Sequence, residues 1–250
     1  MKQLILLMAI ACCLLTLSQC KKSTATVQSA ALTDYLQLQP GKYITYRLDS
    51  TLFTNFGTQT TTVSYQAKDI IDTLITDALG RPSWRVIRYL RDTAGTQSWV
   101  TDQTYMITAT REDVEVVDNN LRFIKLVLPV VNGYSWPGNS YIDVTTDTFN
   151  VVNYLQGWNY YYDSLGMPFV TPFGTVDSTL TVIQQPDVTN GDFTDPSRYS
   201  ERNYSVEVYA KGIGLINKRF LHQEYQPPNG GTSVGSTSGY GLNLTMIDHN

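Results

Sequence analysis

The chain has 250 residues, with 18 Lys+Arg against 22 Asp+Glu, a formal net charge of −4 and only 16% charged residues. A mildly acidic chain without a basic run offers no stripe for phosphates, so nucleic acid is not an expected partner. Its 17 tyrosines and many threonines at low charge density favour strands over helices, and its length is enough for one large β core.

The first element is an export segment. Met1-Lys2 precedes an apolar run from Leu4 to Leu17. That run is roughly 14 residues, short of a bilayer span but within the range of a secretory leader. It ends in Leu17-Ser18-Gln19-Cys20, which resembles the bacterial lipobox, with Gln19 departing from the usual small residue. The resemblance implies a signal peptide helix over residues 1–19, cleavage before Cys20 and acylation of that cysteine. Each buried CH₂ contributes about 0.8 kcal/mol, so several acyl chains hold a domain at a membrane. The three cysteines are Cys12, Cys13 and Cys20, so nothing after Cys20 can form a disulfide, act as a thiol nucleophile or build a cysteine zinc site. Without Lys2, the mature net charge is about −5. Residues 20–32 are polar and aperiodic and are expected to form a flexible tether. Lys21 differs from the aspartate that retains enteric lipoproteins at the inner membrane. The expected location is therefore the outer membrane, with the periplasmic or surface face left open.

From residue 33 to 250 the pattern is alternation. "KYITYRLDSTLF" sets Ile44, Tyr46 and Leu48 against Tyr43, Thr45 and Arg47. "TVSYQA" groups Val63, Tyr65 and Ala67, and "SWRVIRYL" groups Trp84 with Val86 beyond a Gly80–Pro82 turn. "SWVTDQTYMITAT" is the next strand; "DVEVV", "DNN" and "LRFIKLVL" read as a hairpin with asparagines in the turn. Residues 129–142 read as a long connection, "TVDSTLTVIQQ" as a strand, and "QPDVTNGDFTDPSRYS" as a loop. "NYSVEVYAKGIGLINKRF" alternates until Gly212 and Gly214, which suit a bulge or bend. A loop "PPNGGTSVGSTSGYG" leads to a closing strand "LNLTMID". The expected fold is all-β: a single antiparallel domain, sandwich-like or a curved half-open barrel.

Three stretches, "YLQLQPGKYITYRLDST", "FIKLVLPVVNGYSWPGN" and "VYAKGIGLINKRF", resemble a family of Bacteroidota lipoproteins with a lipobox leader and a C-terminal YAKGxGL motif. The family carries a domain of unknown function, so the resemblance implies an envelope address and no activity. It also implies a modification, because Bacteroidota glycosylate exported proteins at Asp-Ser/Thr followed by an aliphatic residue or Thr. Five such triplets place candidate acceptors at Ser50, Thr73, Thr93, Ser164 and Ser178. Asp-Ser/Thr pairs equally serve as turn caps.

Catalytic patterns are weak. His222 and His249 lack a second histidine at ligand spacing and are expected in solvated positions. "GTSVG", with Ser233 at its centre, lacks the strand and helix that a nucleophile elbow needs. "GIGLIN" has Asn217 where a dinucleotide fingerprint needs its third glycine. The five glutamates, Glu112, Glu115, Glu201, Glu207 and Glu224, stand in alternating or loop contexts, where solvated faces are the default, although a carboxylate hydrolase remains an alternative. No cofactor is expected. The aromatic cluster "YLQGWNYYY" puts Trp158, Tyr160 and Tyr162 on one strand face. Exposed, that face is a platform for sugar rings or a partner protein; buried, it is core. The functional expectation is non-enzymatic binding or scaffolding in the envelope, with a glycan or an envelope protein as candidate partner.

Overall fold

A computed structural model describes residues 30–146, 152–229 and 234–250. The leader, Cys20 and most of the expected tether lie outside the described residues, as does Ser233. Twelve strands follow in chain order: β1 (Tyr43–Thr54), β2 (Gln59–Thr76), β3 (Pro82–Arg91), β4 (Val100–Ala109), β5 (Asp113–Asp118), β6 (Leu121–Val127), β7 (Ser135–Trp136), β8 (Tyr160–Thr171), β9 (Gly174–Asn190), β10 (Ser200–Ala210), β11 (Gly214–Gln226) and β12 (Ser236–His249). They form one antiparallel sheet in the order β6-β5-β4-β3-β2-β1-β12-β11-β10-β9-β8-β7. Two six-strand meanders are thus joined where the first and last strands pair, Leu48 opposite Leu244. The sheet curls into a nearly closed barrel, which decides between the two expected shapes.

The seam lies where the middle of the chain meets itself. The Ile124 N–H donates to the Gly138 carbonyl at 2.8 Å, and the Trp136 indole N–H donates to the Ile124 carbonyl at 2.8 Å. Tyr162 clamps Val127, its hydroxyl accepting the Val127 N–H at 2.7 Å and donating to the Val127 carbonyl at 2.6 Å. These bonds cover the edges that would otherwise offer unpaired backbone to another chain.

Alternation gives every strand an inner and an outer face. One rung of paired residues crosses seven strands: Tyr65, Leu48, Leu244, Lys218, Glu207, Val182 and Tyr162. All turn inward. The outer face of the first meander carries charge instead, with Arg47 and Ser64 bonded to Asp49 and Arg85 paired with Asp72. Paired charges at mid-strand are unlike the apolar belt of a membrane-spanning barrel.

One end of the barrel is closed by residues preceding β1. The 3-10 turn Leu32–Tyr35 buries both Leu32 and Tyr35 in the core, and Ala30 packs against the same cluster, so residues of the expected tether belong to the packed body. Gly212 N–H donates to the Asp34 carbonyl at 2.7 Å and Lys211 pairs with Asp34 at 3.1 Å, tying this segment to the β10–β11 turn. Leu36 and Leu38 form the floor of the lumen. All twelve strands and this floor come from residues 30–250.

Several local expectations change. Gly212 and Gly214 do not bend one strand; Lys211–Ile213 reverse the chain, and β11 returns antiparallel to β10, with Gly212 at φ +75°. The stretch expected as loop after Gln185 continues as β9 to Asn190, because Pro186 falls in a bulge between the Ser205–Gln185 and Asn203–Val188 pairs. There its missing N–H costs no ladder bond. Residues 236–240 are strand rather than loop, since they pair with β11 out to Gln226.

Candidate functional site

The barrel encloses a cavity of about 470 Å³. Its walls are the inner alternate positions: Tyr46 and Leu48 of β1, Asp69 of β2, Arg88 of β3, Tyr105 of β4, and so on around to Tyr240, Leu242 and Leu244 of β12. Apolar side chains dominate, as in sites for small ligands. Tyr65, Asp102, Asn119 and Tyr240 line the end opposite the floor and are solvent-exposed, so that end is the mouth.

Two buried ion pairs sit inside this apolar lining. Arg88 grips Asp69 with two bonds of 2.6 Å, and the Tyr105 hydroxyl donates to the same carboxylate at 3.0 Å. Burial alone would depress the Arg88 guanidinium, but Asp69 outweighs it and raises it above its usual range. The second pair crosses the lumen. Lys125 of β6 donates to Glu207 of β10 at 2.8 Å, Tyr209 donates to the other oxygen at 2.7 Å, and Lys218 lies 3.6 Å away. Burial would raise the Glu207 carboxyl; the two ammonium groups and the phenol overcome it and hold it at about 2. Burial wins at Lys125, whose ammonium is pulled below its ordinary value despite Glu207. Glu207 has three groups favouring its charge, whereas Lys125 has one close anion and a like charge in Lys218.

The mouth carries an aromatic collar. Tyr154 stacks on the His222 ring at 3.9 Å and makes edge contacts with Trp158 and Phe220 at 6.1 Å, and Phe220 stacks on Tyr240 at 4.8 Å. His222 is therefore not solvated. It is 9% exposed, its Nδ1 is 2.8 Å from Asn203 Oδ1, and burial lowers its pKa. His249 is exposed at the closing end of β12.

Trp158, Tyr160 and Tyr162 do share a face, but that face points inward. All three are at most 5% exposed, so no flat platform meets solvent there. Trp158 and Tyr160 line the lumen, and Tyr162 serves the seam. Of the five glutamates, Glu112 is exposed as expected and Glu201 and Glu224 are half-buried, but two depart from solvated faces. Glu115 and Glu207 are 1% and 2% exposed. They are separate sites: Glu115 points away from the lumen and is held by Arg81 and Arg122. Glu201 and Glu224 are cross-strand partners at the mouth end; Glu201 accepts from Tyr199 and Asn203.

The candidate acceptors scatter. Ser50 lines the mouth, Thr73 is half-buried on β2, and Thr93 is exposed in the β3–β4 turn, where Asp92 caps the backbone of Thr96 and Gln97. Ser164 and Ser178 sit at φ +52° and +57° where the β8–β9 register shifts. "GIGLIN" is a hairpin turn, and Asn217 spends its amide on the Leu244 carbonyl at 2.9 Å. Among the described residues no group of three or more His, Cys, Asp or Glu is arranged to hold a metal.

Of the lumen groups, Asp69, Arg88, Lys125, Gln184 and Lys218 were not singled out by sequence, and Glu207 was named only among five glutamates expected on solvated faces. The available signal is a charge in an apolar alternation: Lys125 within "FIKLVL" and Glu207 within "VEVY". Compared with known proteins, the chain matches no family model, and no curated protein is significantly similar to it.

Proposed function

We propose that this protein is a non-enzymatic cell-envelope binding protein that takes a small, largely apolar ligand into its barrel and is held to the outer membrane by a lipid on Cys20. The observation that carries the binding reading is the 470 Å³ lumen, walled by inward side chains and open at one end. A scaffold has no use for such a hollow, because an unfilled lumen forgoes the close packing that stabilises a core. Two of the four lumen carboxylates, Asp69 and Glu207, are each committed to a cation, which speaks against their acting as a general acid and base. The buried aromatic face speaks against sugar stacking on an open platform.

The test is saturable binding of the neutral probe N-phenyl-1-naphthylamine. One probe per chain is expected, with fluorescence enhancement that is lost when Val116→Trp fills the lumen while circular dichroism stays unchanged. Absence of saturable binding by the native protein would sink the proposal.

A further inference from the structure

The lumen wall formed by β9, β10 and β11 holds donors that lack acceptors. Gln184 is 2% exposed and lines the cavity. Its Oε1 accepts from the Ser205 hydroxyl at 2.7 Å, but its Nε2 has no partner. A buried amide donor left unpaired costs about 1–3 kcal/mol unless something fills the position. On β11, two strands along the same wall, Lys218 has Glu207 as its one ion-pair partner among the described residues, at 3.6 Å and beyond hydrogen-bond reach. Both Glu207 oxygens are already engaged, one by Lys125 and one by Tyr209. Lys218 thus keeps its three N–H groups for another acceptor.

The charges around the lumen give that acceptor a sign. Asp69 is closed by Arg88 and Glu207 by Lys125, which leaves Lys218 as the surplus cation on this wall. Asp102 and Asp118 line the opposite wall on β4 and β5, where Asp118 makes no ion pair among the described residues and its Oδ1 is buried without a partner. An anion entering there would be repelled toward Lys218. Lys42 lies at the floor. A cationic head would meet Lys125 and Lys218 together. A neutral hydroxyl would satisfy one donor and add one of its own.

We infer that the lumen takes a single-chain amphiphile whose head is an anionic oxygen group, a carboxylate or a phosphate, seated on Lys218 and the Gln184 amide, with its chain along the apolar wall of β4–β6 and β12. This rests on the lumen-binding reading above. Ile107, Val116, Leu121 and Phe123 on one side and Leu242 and Leu244 on the other supply that wall. The volume lies in the lower half of the range for small-molecule sites, which suits one chain rather than several.

The test uses residues 30–250, which hold the twelve described strands and the floor, and displaces N-phenyl-1-naphthylamine with four probes of equal chain length below their micelle concentrations. These are palmitate, hexadecyl phosphate, hexadecanol and hexadecyltrimethylammonium. At least one anion is expected to bind about tenfold or more tighter than hexadecanol, with the ammonium compound weakest. Which anion binds tighter distinguishes the carboxylate from the phosphate. Lys218→Gln should bring the anion down to the alcohol while leaving the alcohol within about twofold. Hexadecanol matching both anions in the native sequence, or a preference that survives Lys218→Gln, would overturn the head-group assignment while lumen binding stands. If the probe binds saturably and no amphiphile displaces it, the amphiphile assignment falls while lumen binding stands; if the probe itself does not bind, the lumen-binding reading falls as well.

Discussion

Replacing Glu207 with glutamine removes the anion that balances Lys125 across the lumen. The native carboxyl is held at about 2 against an ordinary 4.5. At roughly 1.36 kcal/mol per unit, that preference corresponds to about 3 kcal/mol of stability. Because the folded value is the lower one, this contribution is complete above about pH 4.5 and is lost as pH falls through 2. Glutamine forfeits it and leaves Lys125 and Lys218 facing each other without a counter-charge; breaking a buried pair in this way costs about 3–5 kcal/mol. Urea unfolding followed by tryptophan fluorescence at pH 7 should therefore place Glu207→Gln about 3–5 kcal/mol below the native protein. The gap should narrow steadily from pH 5 toward pH 2. The triple change Lys125→Met, Glu207→Leu and Tyr209→Phe removes both charges together with the phenol hydroxyl that Glu207 holds, and should lie within about 1 kcal/mol of native. A single-variant loss under about 1 kcal/mol, or a gap indifferent to pH across that window, would refute the account of the crossing pair.

Tyr162→Phe deletes both bonds to Val127 at the seam and should cost about 1–3 kcal/mol, with faster hydrogen exchange at the Val127 amide as the local readout. Gly239→Ala and Gly80→Ala both place a side chain at positive φ, a strain of about 1–2 kcal/mol, but they differ in surroundings. At Gly239 the new methyl would be driven into the His222 carbonyl, whereas nothing lies within 4 Å at Gly80, so only Gly239→Ala should shift the urea midpoint beyond the strain alone. His222 should titrate below its ordinary 6.5 by NMR, so it contributes stability above that value and loses it as pH falls; Tyr154→Ala, which uncovers the ring, should return it toward 6.5. Metabolic labelling with a radioactive fatty acid should mark the native chain and not Cys20→Ser.

Strands whose two faces differ in polarity were legible from sequence. In β1, Ile44, Tyr46 and Leu48 turn inward and Arg47 outward, and the "DNN" turn places Asn119 and Asn120 at φ +50° and +62°, as its residues suggest. The rule fails on β10. There Val206 and Val208 lie on the outer side, in a shallow groove with Ile183 and Phe169, while Ser205, Glu207 and Tyr209 face the lumen. Alternation identifies the two faces but not which one meets the barrel's interior when both are covered. The aromatic cluster shows the same limit: spacing put Trp158, Tyr160 and Tyr162 together, and only the curl of the sheet turned them inward. The lumen pairs were illegible for a stronger reason. Lys125 and Glu207 are 82 residues apart, on strands brought face to face only by closure of the seam.

The plugged floor also sets a direction. With Cys20 acylated, about ten residues would separate the lipid from the sealed base of the barrel, a span of at most about 35 Å. The twelve residues of β1, tilted as strands of a barrel are, then carry the opening about 30 Å farther out. Cargo would arrive from the compartment side and not by sliding out of the leaflet beneath, so loading would require a donor standing opposite.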